Sequence, residues 1–264
     1  MFAPLRALAE RLPAIGWPNA EVLNYVADES GRRMVNARGQ RIEFVTPGPP
    51  GEERRLGFEQ RTCLTGEVQV RPVNWHDLLN ALVWMLFPTA KAAINGRHCL
   101  ELEAQAGSER PPARDALTHF DEDGVVVLSG DHALSELLRA FAWKELFWRR
   151  RDDVRRAMRF IVFGHALYEK ALAPFVGMTG KALVFDVEAA ALACEPMRLL
   201  ADADRLTALH VLDSARMLQT AELAPLPVLG VPGWWPENET EAFYDNTEYF
   251  RPGRSRRAPT DARD

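Results

Sequence analysis

The sequence predicts an α+β protein, a helix-rich single domain with a small β-sheet or hairpin and an irregular C-terminal arm. The chain has 264 residues, of which 47% are hydrophobic and 26% are charged, as in ordinary globular domains. Apolar residues recur every three or four positions along much of residues 1–222, which is typical of helices. Residues 223–264 are instead rich in proline and aromatic residues. We therefore expect a globular body and an arm that docks on it and ends in a frayed basic segment.

The N-terminal part of the chain is predicted to contain two helices, a strand and a loop. Residues 2–12 carry apolar residues at helical spacing until Pro13 ends the pattern. A second helix begins after Pro18, with Asn19 as its cap. Residues 41–66 alternate briefly and then contain several prolines, which predicts a short strand in the 40s followed by a long loop.

A strongly helical pattern extends from Trp75 to Ala104 and is interrupted by Pro88. Proline fits the first turn of a helix but not its interior, so we expect two helices that meet at Phe87-Pro88. Farther along, residues 116–128 are predicted to form a β-hairpin, because Asp121-Glu122-Asp123-Gly124 supplies residues typical of a turn.

Caps and apolar spacing predict further elements in the second half of the chain. They are a helix capped by Asp131 that runs through Trp148, a helix capped by Asp152 or Asp153 that runs through Leu172, a strand over residues 181–187 and a helix over residues 204–219.

The net charge indicates which kind of binding partner is expected. The net charge is −5, which gives no overall field to attract polyanions, so we do not expect nucleic acid as a partner. The arginine-rich stretch over residues 149–159 is interrupted by Asp152 and Asp153 at helical spacing, which is typical of a solvated helix face. A small ligand or a protein partner fits the composition.

The cysteines and the apolar runs indicate in which cellular compartment the protein is expected. Cys63, Cys99 and Cys194 are odd in number and far apart, so we expect reduced thiols rather than a disulfide framework or a zinc cluster. The N-terminal segment carries charges within its apolar pattern, unlike a secretory signal. No run approaches the roughly 18 apolar residues of a membrane span. The sequence thus predicts a soluble cytoplasmic protein.

The common catalytic signatures are absent from the sequence. Neither H-E-x-x-H nor G-x-S-x-G occurs. The stretch before Lys181 lacks a phosphate loop, because Phe175 replaces its first glycine and Ala182 its magnesium-binding hydroxyl residue. His76-Asp77 is similar to the metal pair of the HD phosphohydrolases, but that site also needs a histidine upstream and His76 is the first in the chain. No reaction is identified by these motifs.

Polar residues on otherwise apolar helices are the best candidates for a site. They recur at steps of three and four on two consecutive segments, as His76, Asp77 and Asn80 and then as Lys91, Asn95 and His98. If the helices fold back at Pro88, the two polar faces meet. Imidazoles and a carboxylate in one place suit acid–base chemistry or a divalent metal such as zinc, manganese or iron.

We therefore predict a polar pocket that binds a small ligand or a metal and whose reaction could be hydrolytic. His76, Asp77 and His98 are its predicted catalytic residues. The predicted ligand-binding residues are Asn80, Lys91, Asn95, Arg114, His165 and Glu169. The identity of any metal is open.

The alternative interpretation is a non-catalytic interaction or structural protein, in which buried polar residues only hold the fold. In that case His76 and Asp77 cap a helix start, and Asn95-Gly96 forms a helix stop with His98 just past it. His165 and Glu169 lie four apart, after a Gly164 predicted inside a helix, and form a buried hydrogen bond.

Several short motifs are spread over most of the chain. They are Asn74-Trp75-His76-Asp77, Asn80-Ala81-Leu82, Phe87-Pro88, Asn95-Gly96-Arg97-His98, Arg114-Asp115-Ala116-Leu117, Phe120-Asp121-Glu122-Asp123-Gly124, Phe163-Gly164-His165-Ala166-Leu167-Tyr168-Glu169-Lys170, Pro227-Val228-Leu229-Gly230-Val231-Pro232-Gly233-Trp234 and Phe250-Arg251-Pro252. Together they resemble a family of bacterial proteins, the domain of unknown function 3025. The resemblance implies no particular activity, cofactor or site residue.

Overall fold

Two short helices open the chain. The computed structural model describes residues 1–48, 56–104, 111–217 and 219–253, so the frayed basic end predicted beyond Gly253 lies outside the described residues. A 3-10 turn at Ala3–Leu5 leads into α1 (Arg6–Ala9), and α2 (Ala20–Glu29) follows. The predicted cap is confirmed, since the Asn19 side chain accepts a hydrogen bond from the backbone N–H of Val22 at 2.9 Å.

A small parallel sheet pairs β1 (Glu43–Val45) with β2 (Glu67–Gln69), which confirms the predicted strand in the 40s. The loop predicted to continue to residue 66 is wrong in its last part, where α3 (Phe58–Thr65) forms. Its buried residues are only Thr62 and Cys63, so no apolar stripe marked this helix in the sequence. Gly66 ends α3 in the left-handed conformation, with φ of 78°.

The predicted break at Pro88 is confirmed. Helix α4 (Trp75–Leu86) and helix α5 (Pro88–Ala104) meet there with a bend of 112°. Helix α5 continues through Asn95-Gly96, so the alternative of a helix stop at that dipeptide is wrong. A Cβ at Gly96 would lie 2.6 Å from the Cβ of Ala37, and this close approach accounts for the glycine.

Within the described ranges, no single helix is long and apolar enough to cross a bilayer. The bent pair α4 and α5 reaches that length and composition only when the two helices are taken together.

The predicted β-hairpin at 116–128 is wrong. Residues Pro112–Asp123 form helix α6, and β3 (Gly124–Ser129) begins directly after it. Of the four residues expected to form a turn, Asp121, Glu122 and Asp123 lie in the last turn of that helix and Gly124 begins β3. Ala113, Ala116, Leu117 and Phe120 are its buried face, and this helical spacing prevails over the turn-type residues that follow.

Strand β3 is an inner strand of a four-stranded sheet with the order β4-β3-β5-β6. It pairs antiparallel with β4 (Met158–Val162) and parallel with β5 (Thr179–Asp186), which confirms the strand predicted at 181–187. Strand β6 (Ala224–Pro227) pairs antiparallel with β5 at one edge. Every residue of β3 is buried, which explains its unbroken apolar run.

The helices predicted between Asp131 and Leu172 are shorter than expected. They are α7 (His132–Arg139), a π-helical turn at Glu145–Arg149, α8 (Arg151–Ala157) and α9 (His165–Lys170). The helix predicted over residues 204–219 begins and ends earlier, as α10 (Pro196–Leu212). Asp131 caps α7 as predicted, by accepting a hydrogen bond from the backbone N–H of Ala133. The continuous helix predicted through Leu172 is wrong, because β4 adds to the sheet between α8 and α9.

The C-terminal arm shares one hydrophobic core with the rest of the domain. After β6 it forms three short 3-10 helices, at Val228–Gly230, Pro236–Glu239 and Glu241–Asp245. The buried guanidinium of Arg151 on α8 donates to the backbone oxygen of Asn238 at 2.8 Å and to the Tyr244 hydroxyl at 3.2 Å. The arm is therefore fixed by polar contacts as well as by apolar packing.

Candidate functional site

Side chains from the ends of three helices converge at one place. His76 is the second residue of α4, Glu122 lies in the last turn of α6, and His165 is the first residue of α9. The Nε2 atoms of His76 and His165 are 3.0 Å apart. Oε2 of Glu122 lies 4.0 Å from the first of these nitrogens and 3.7 Å from the second. We call these three residues the His–Glu cluster.

The cluster depends on Gly164, which lies just before α9 and not inside a helix as predicted. A Cβ at Gly164 would collide with the backbone oxygen of Glu122 and lie 2.5 Å from the backbone nitrogen of Gly124. The N–H groups of Phe163 and Gly164 both donate to the backbone oxygen of Gly124 at 2.9 Å. Only glycine lets α9 begin against the junction of α6 and β3.

We expect Gly164→Ala to lower the free energy of unfolding by about 1–3 kcal/mol, because the added methyl group meets backbone atoms that cannot move independently. Urea unfolding followed by tryptophan fluorescence would measure the change. Gly48→Ala is the control, since a Cβ at that exposed glycine meets nothing within 4 Å. Equal stability of the two variants would contradict the close packing at Gly164.

Each imidazole of the cluster has an acidic residue beside its other nitrogen. Oε2 of Glu169 lies 3.0 Å from Nδ1 of His76. Oδ2 of Asp121 lies 3.8 Å from Nδ1 of His165, and both the charge and the backbone carbonyl of Asp121 favour a proton on that ring. In a metal-bound form the proton of each neutral ring would therefore be on Nδ1. The lone pairs on the two Nε2 atoms would then face the ion.

The environment keeps the buried ring neutral. Burial lowers the pKa of His165 to about 3, and the charges of Lys91 and His76 act in the same direction against Asp121. Burial also raises the pKa of Glu122, with Asp121 and Asp123 adding to the effect and His76 opposing it. Neutral imidazole is the form that binds metal ions.

A buried ion pair lies behind His165. Nζ of Lys91 is 2.6 and 2.8 Å from the two carboxylate oxygens of Asp121 and 2.9 Å from Oδ1 of Asn80. Burial alone would raise the pKa of Asp121, but the charge and the hydrogen bonds of Lys91 outweigh it and hold that pKa below its usual range. Asp121 thus links two predicted ligand-binding residues, Asn80 and Lys91, to the His–Glu cluster.

The predicted catalytic residues Asp77 and His98 are not part of the His–Glu cluster. Both carboxylate oxygens of Asp77 accept hydrogen bonds from the guanidinium of Arg71 at 2.7 Å. Burial would raise the pKa of Asp77, but these bonds lower it below its ordinary value. His98 is buried on α5.

Among the remaining predicted residues, Glu169 contacts the His–Glu cluster and Asn95 contacts α3. Asn95 donates to the backbone oxygen and the carboxylate of Glu59 at 2.9 and 2.7 Å. Arg114 is half-buried on α6. Glu169 bonds to His76 rather than to His165 as expected, because the His165 ring is buried beside α6 while the Glu169 side chain is 44% exposed.

Sequence reasoning missed Asp121 and Glu122 as site residues, because it assigned them to a turn. A signal was present in the helical spacing of Leu117 and Phe120, which extends α6 up to this acidic pair. Two carboxylates in a hairpin turn are explained by the turn itself. Two adjacent carboxylates at the end of an amphipathic helix are instead candidates for a site.

Comparison with known proteins identifies the family of the chain. The family described as "Protein of unknown function (DUF3025)" matches residues 42–254, a range that contains the whole His–Glu cluster. The chain belongs to this family, which confirms the resemblance predicted from its motifs. No curated protein and no solved structure matches the chain.

Proposed function

We propose that the protein binds a divalent transition-metal ion through Nε2 of His76, Nε2 of His165 and the carboxylate of Glu122, and that the bound ion serves hydrolytic chemistry. The observation that carries the proposal is the triangle formed by the three ligand atoms. The point in their plane that is equidistant from the three atoms lies about 2.1 Å from each, which is the length of a zinc–imidazole or zinc–carboxylate bond.

The ligand types support the same proposal. Two neutral imidazoles and one carboxylate form a common ligand set of catalytic zinc sites and of mononuclear non-haem iron sites. Nδ1 of His76 lies 3.0 Å from the Glu169 carboxylate, as is usual for a ligating histidine, and Nδ1 of His165 lies 3.8 Å from the charged carboxylate of Asp121. The cluster therefore has both the inner ligands and the outer partners that a metal site requires.

The exposure of the cluster supports a catalytic rather than a purely structural ion. The side chains of His76 and Glu122 are 32% and 36% exposed, whereas that of His165 is 4% exposed. Three protein ligands leave a coordination position for water or substrate, and a metal in such a site lowers the pKa of bound water to about 7. Solvent can reach the cluster from the side of His76 and Glu122.

The second candidate is the non-catalytic protein described above, in which a proton rather than a metal lies between the two Nε2 atoms. The buried Lys91–Asp121 pair supports this alternative, because such pairs also occur as structural elements. The two candidates differ in metal binding and in what the histidines contribute to stability.

Titration calorimetry of chelator-treated protein with Zn²⁺, Mn²⁺ and Co²⁺ tests the proposal. We expect one equivalent of metal to bind, and His165→Ala to weaken binding by more than about 100-fold, which is the upper end of the effect of losing an outer partner alone. His119→Ala is the matched control, because His119 is exposed on α6. The same samples would be assayed with p-nitrophenyl esters and phosphates for hydrolysis that depends on the metal.

Thermal unfolding of the same variants separates the two candidates. A bound ion stabilises only the folded wild type, so its melting temperature should rise with metal concentration while that of His165→Ala should not. Absence of metal binding in the wild type, together with strong destabilisation by His165→Ala, would favour buried structural histidines and contradict the metal site.

A further inference from the structure

We propose that Asp121 is a positioning residue of the metal site, held in place by Lys91 and Asn80 and orienting the His165 imidazole so that Nε2 faces the ion. This inference rests on the proposed function, since it assigns a role to a residue that does not itself contact the metal. It gives the two adjacent carboxylates different roles. Glu122 binds the ion, and Asp121 orients His165, which also binds the ion.

The contacts of Lys91 show why Asp121 is fixed. An ammonium group has three hydrogen-bond donors, and the three acceptors around Nζ of Lys91 are the two oxygens of Asp121 and Oδ1 of Asn80. The Lys91 side chain is 3% exposed, and its ammonium lies 5.5 Å from the ring centre of Trp84. Neither member of the pair can turn towards water without breaking buried hydrogen bonds.

The position of Asp121 relative to His165 shows how it acts. At 3.8 Å from Nδ1, the nearest carboxylate oxygen is beyond ordinary hydrogen-bond distance, so its effect on the ring is mainly electrostatic. The His165 ring and the Asp121 carboxylate are both buried, and charge acts strongly where the local dielectric constant is low. A negative charge on this side favours the tautomer with its proton on Nδ1 and the lone pair on Nε2.

The two acidic partners of the cluster are not equivalent. Glu169 lies closer to its imidazole, at 3.0 Å, but its side chain is 44% exposed and therefore screened by solvent. The Asp121 side chain is 11% exposed and is fixed by its contacts with Lys91. We therefore expect substitution of Asp121 to disturb the geometry of the bound ion more than substitution of Glu169.

The test uses the full chain loaded with Co²⁺, which reports affinity by calorimetry and ligand geometry by its visible absorption. Asp121→Asn keeps the shape of the side chain and removes its charge. We expect it to weaken Co²⁺ binding by about 10–100-fold, as loss of an outer partner does, and to shift the visible absorption of the remaining complex. A merely structural role would leave the spectrum of the folded complex unchanged.

Asp28→Asn is the matched control. Asp28 pairs at 2.7 Å with Arg41, and the two side chains are 62% and 64% exposed. We expect it to keep the affinity within about threefold, because exposed pairs contribute little, and to keep the wild-type spectrum. If Asp121→Asn matches this control in affinity and spectrum, the positioning role is wrong while the metal site stands.

The other outcomes are also decisive. If the wild type binds no Co²⁺, the proposed function fails and this inference fails with it. If Asp121→Asn does not fold, Asp121→Glu answers the question, because it keeps the charge but displaces it by one methylene group. We then expect binding within about tenfold of wild type and an altered spectrum, and an unchanged affinity and spectrum would overturn the positioning role.

Discussion

A chain that lacks residues 223–264 is expected not to fold. The segment contributes edge strand β6 to the sheet and buries apolar side chains in the common core. They are Leu223, Leu226, Val228, Leu229, Val231, Tyr244, Tyr249 and Phe250. Burial of each large side chain contributes roughly 1.5–3 kcal/mol, so their sum rivals the roughly 5–15 kcal/mol by which whole proteins are stable. Circular dichroism and thermal melting should show no cooperative transition.

A point substitution provides a graded form of this test. Asn238 is fully buried, and its Nδ2 donates to the backbone oxygens of Leu229 at 2.7 Å and Val231 at 2.8 Å. Asn238→Ala leaves these oxygens without that donor, so we expect a loss of about 2–4 kcal/mol in the free energy of unfolding. Asn246→Ala in the same arm is the control, because the exposed Asn246 side chain accepts a bond from the N–H of Tyr249 at 3.2 Å, and its loss should cost about 1 kcal/mol or less.

Urea unfolding of these variants decides whether the arm belongs to the cooperative unit. A truncated chain that melts like the wild type would contradict this expectation. So would an Asn238→Ala variant as stable as Asn246→Ala, since both variants remove an asparagine from the same arm and differ chiefly in burial.

Elements that depend on local chemistry could be predicted from the sequence. Asn19 and Asp131 cap helices because their side chains reach backbone N–H groups within three residues, and Pro88 divides α4 from α5 through its own geometry. The hairpin at 116–128 failed because local turn chemistry was preferred over the helical spacing of α6. Strand β4 was missed because its pairing with β3 is a contact distant in sequence.

The site could be predicted only in part, for a related reason. Spacing within a helix shows which residues share a face, but it does not show which helices meet. His76 and His165 are 89 positions apart and touch only because Gly164 lets α9 begin against the end of α6. Sequence reasoning assigned both histidines to one polar pocket, but the carboxylate of Glu122 beside them emerged only from the fold.

Lys91→Met is expected to be among the most destabilising single substitutions in the protein. It removes the ammonium that contacts both oxygens of buried Asp121, so the carboxylate keeps its charge without its partner. Breaking a buried pair in this way costs about 3–5 kcal/mol. Lys170→Met is the control, because Lys170 pairs with Asp123 while 43% exposed, and such pairs contribute about 0–1 kcal/mol. Urea unfolding would measure both losses.

The double variant Lys91→Met/Asp121→Leu separates stability from positioning. Replacing both charges by apolar groups removes the uncompensated carboxylate, so the double variant should regain most of the stability that Lys91→Met loses. It still lacks the negative charge beside Nδ1 of His165, and its Co²⁺ affinity should therefore stay below that of the wild type. A double variant that recovers both properties would mean that Asp121 only balances Lys91. Recovery of stability alone would show that the pair was retained for the orientation of His165.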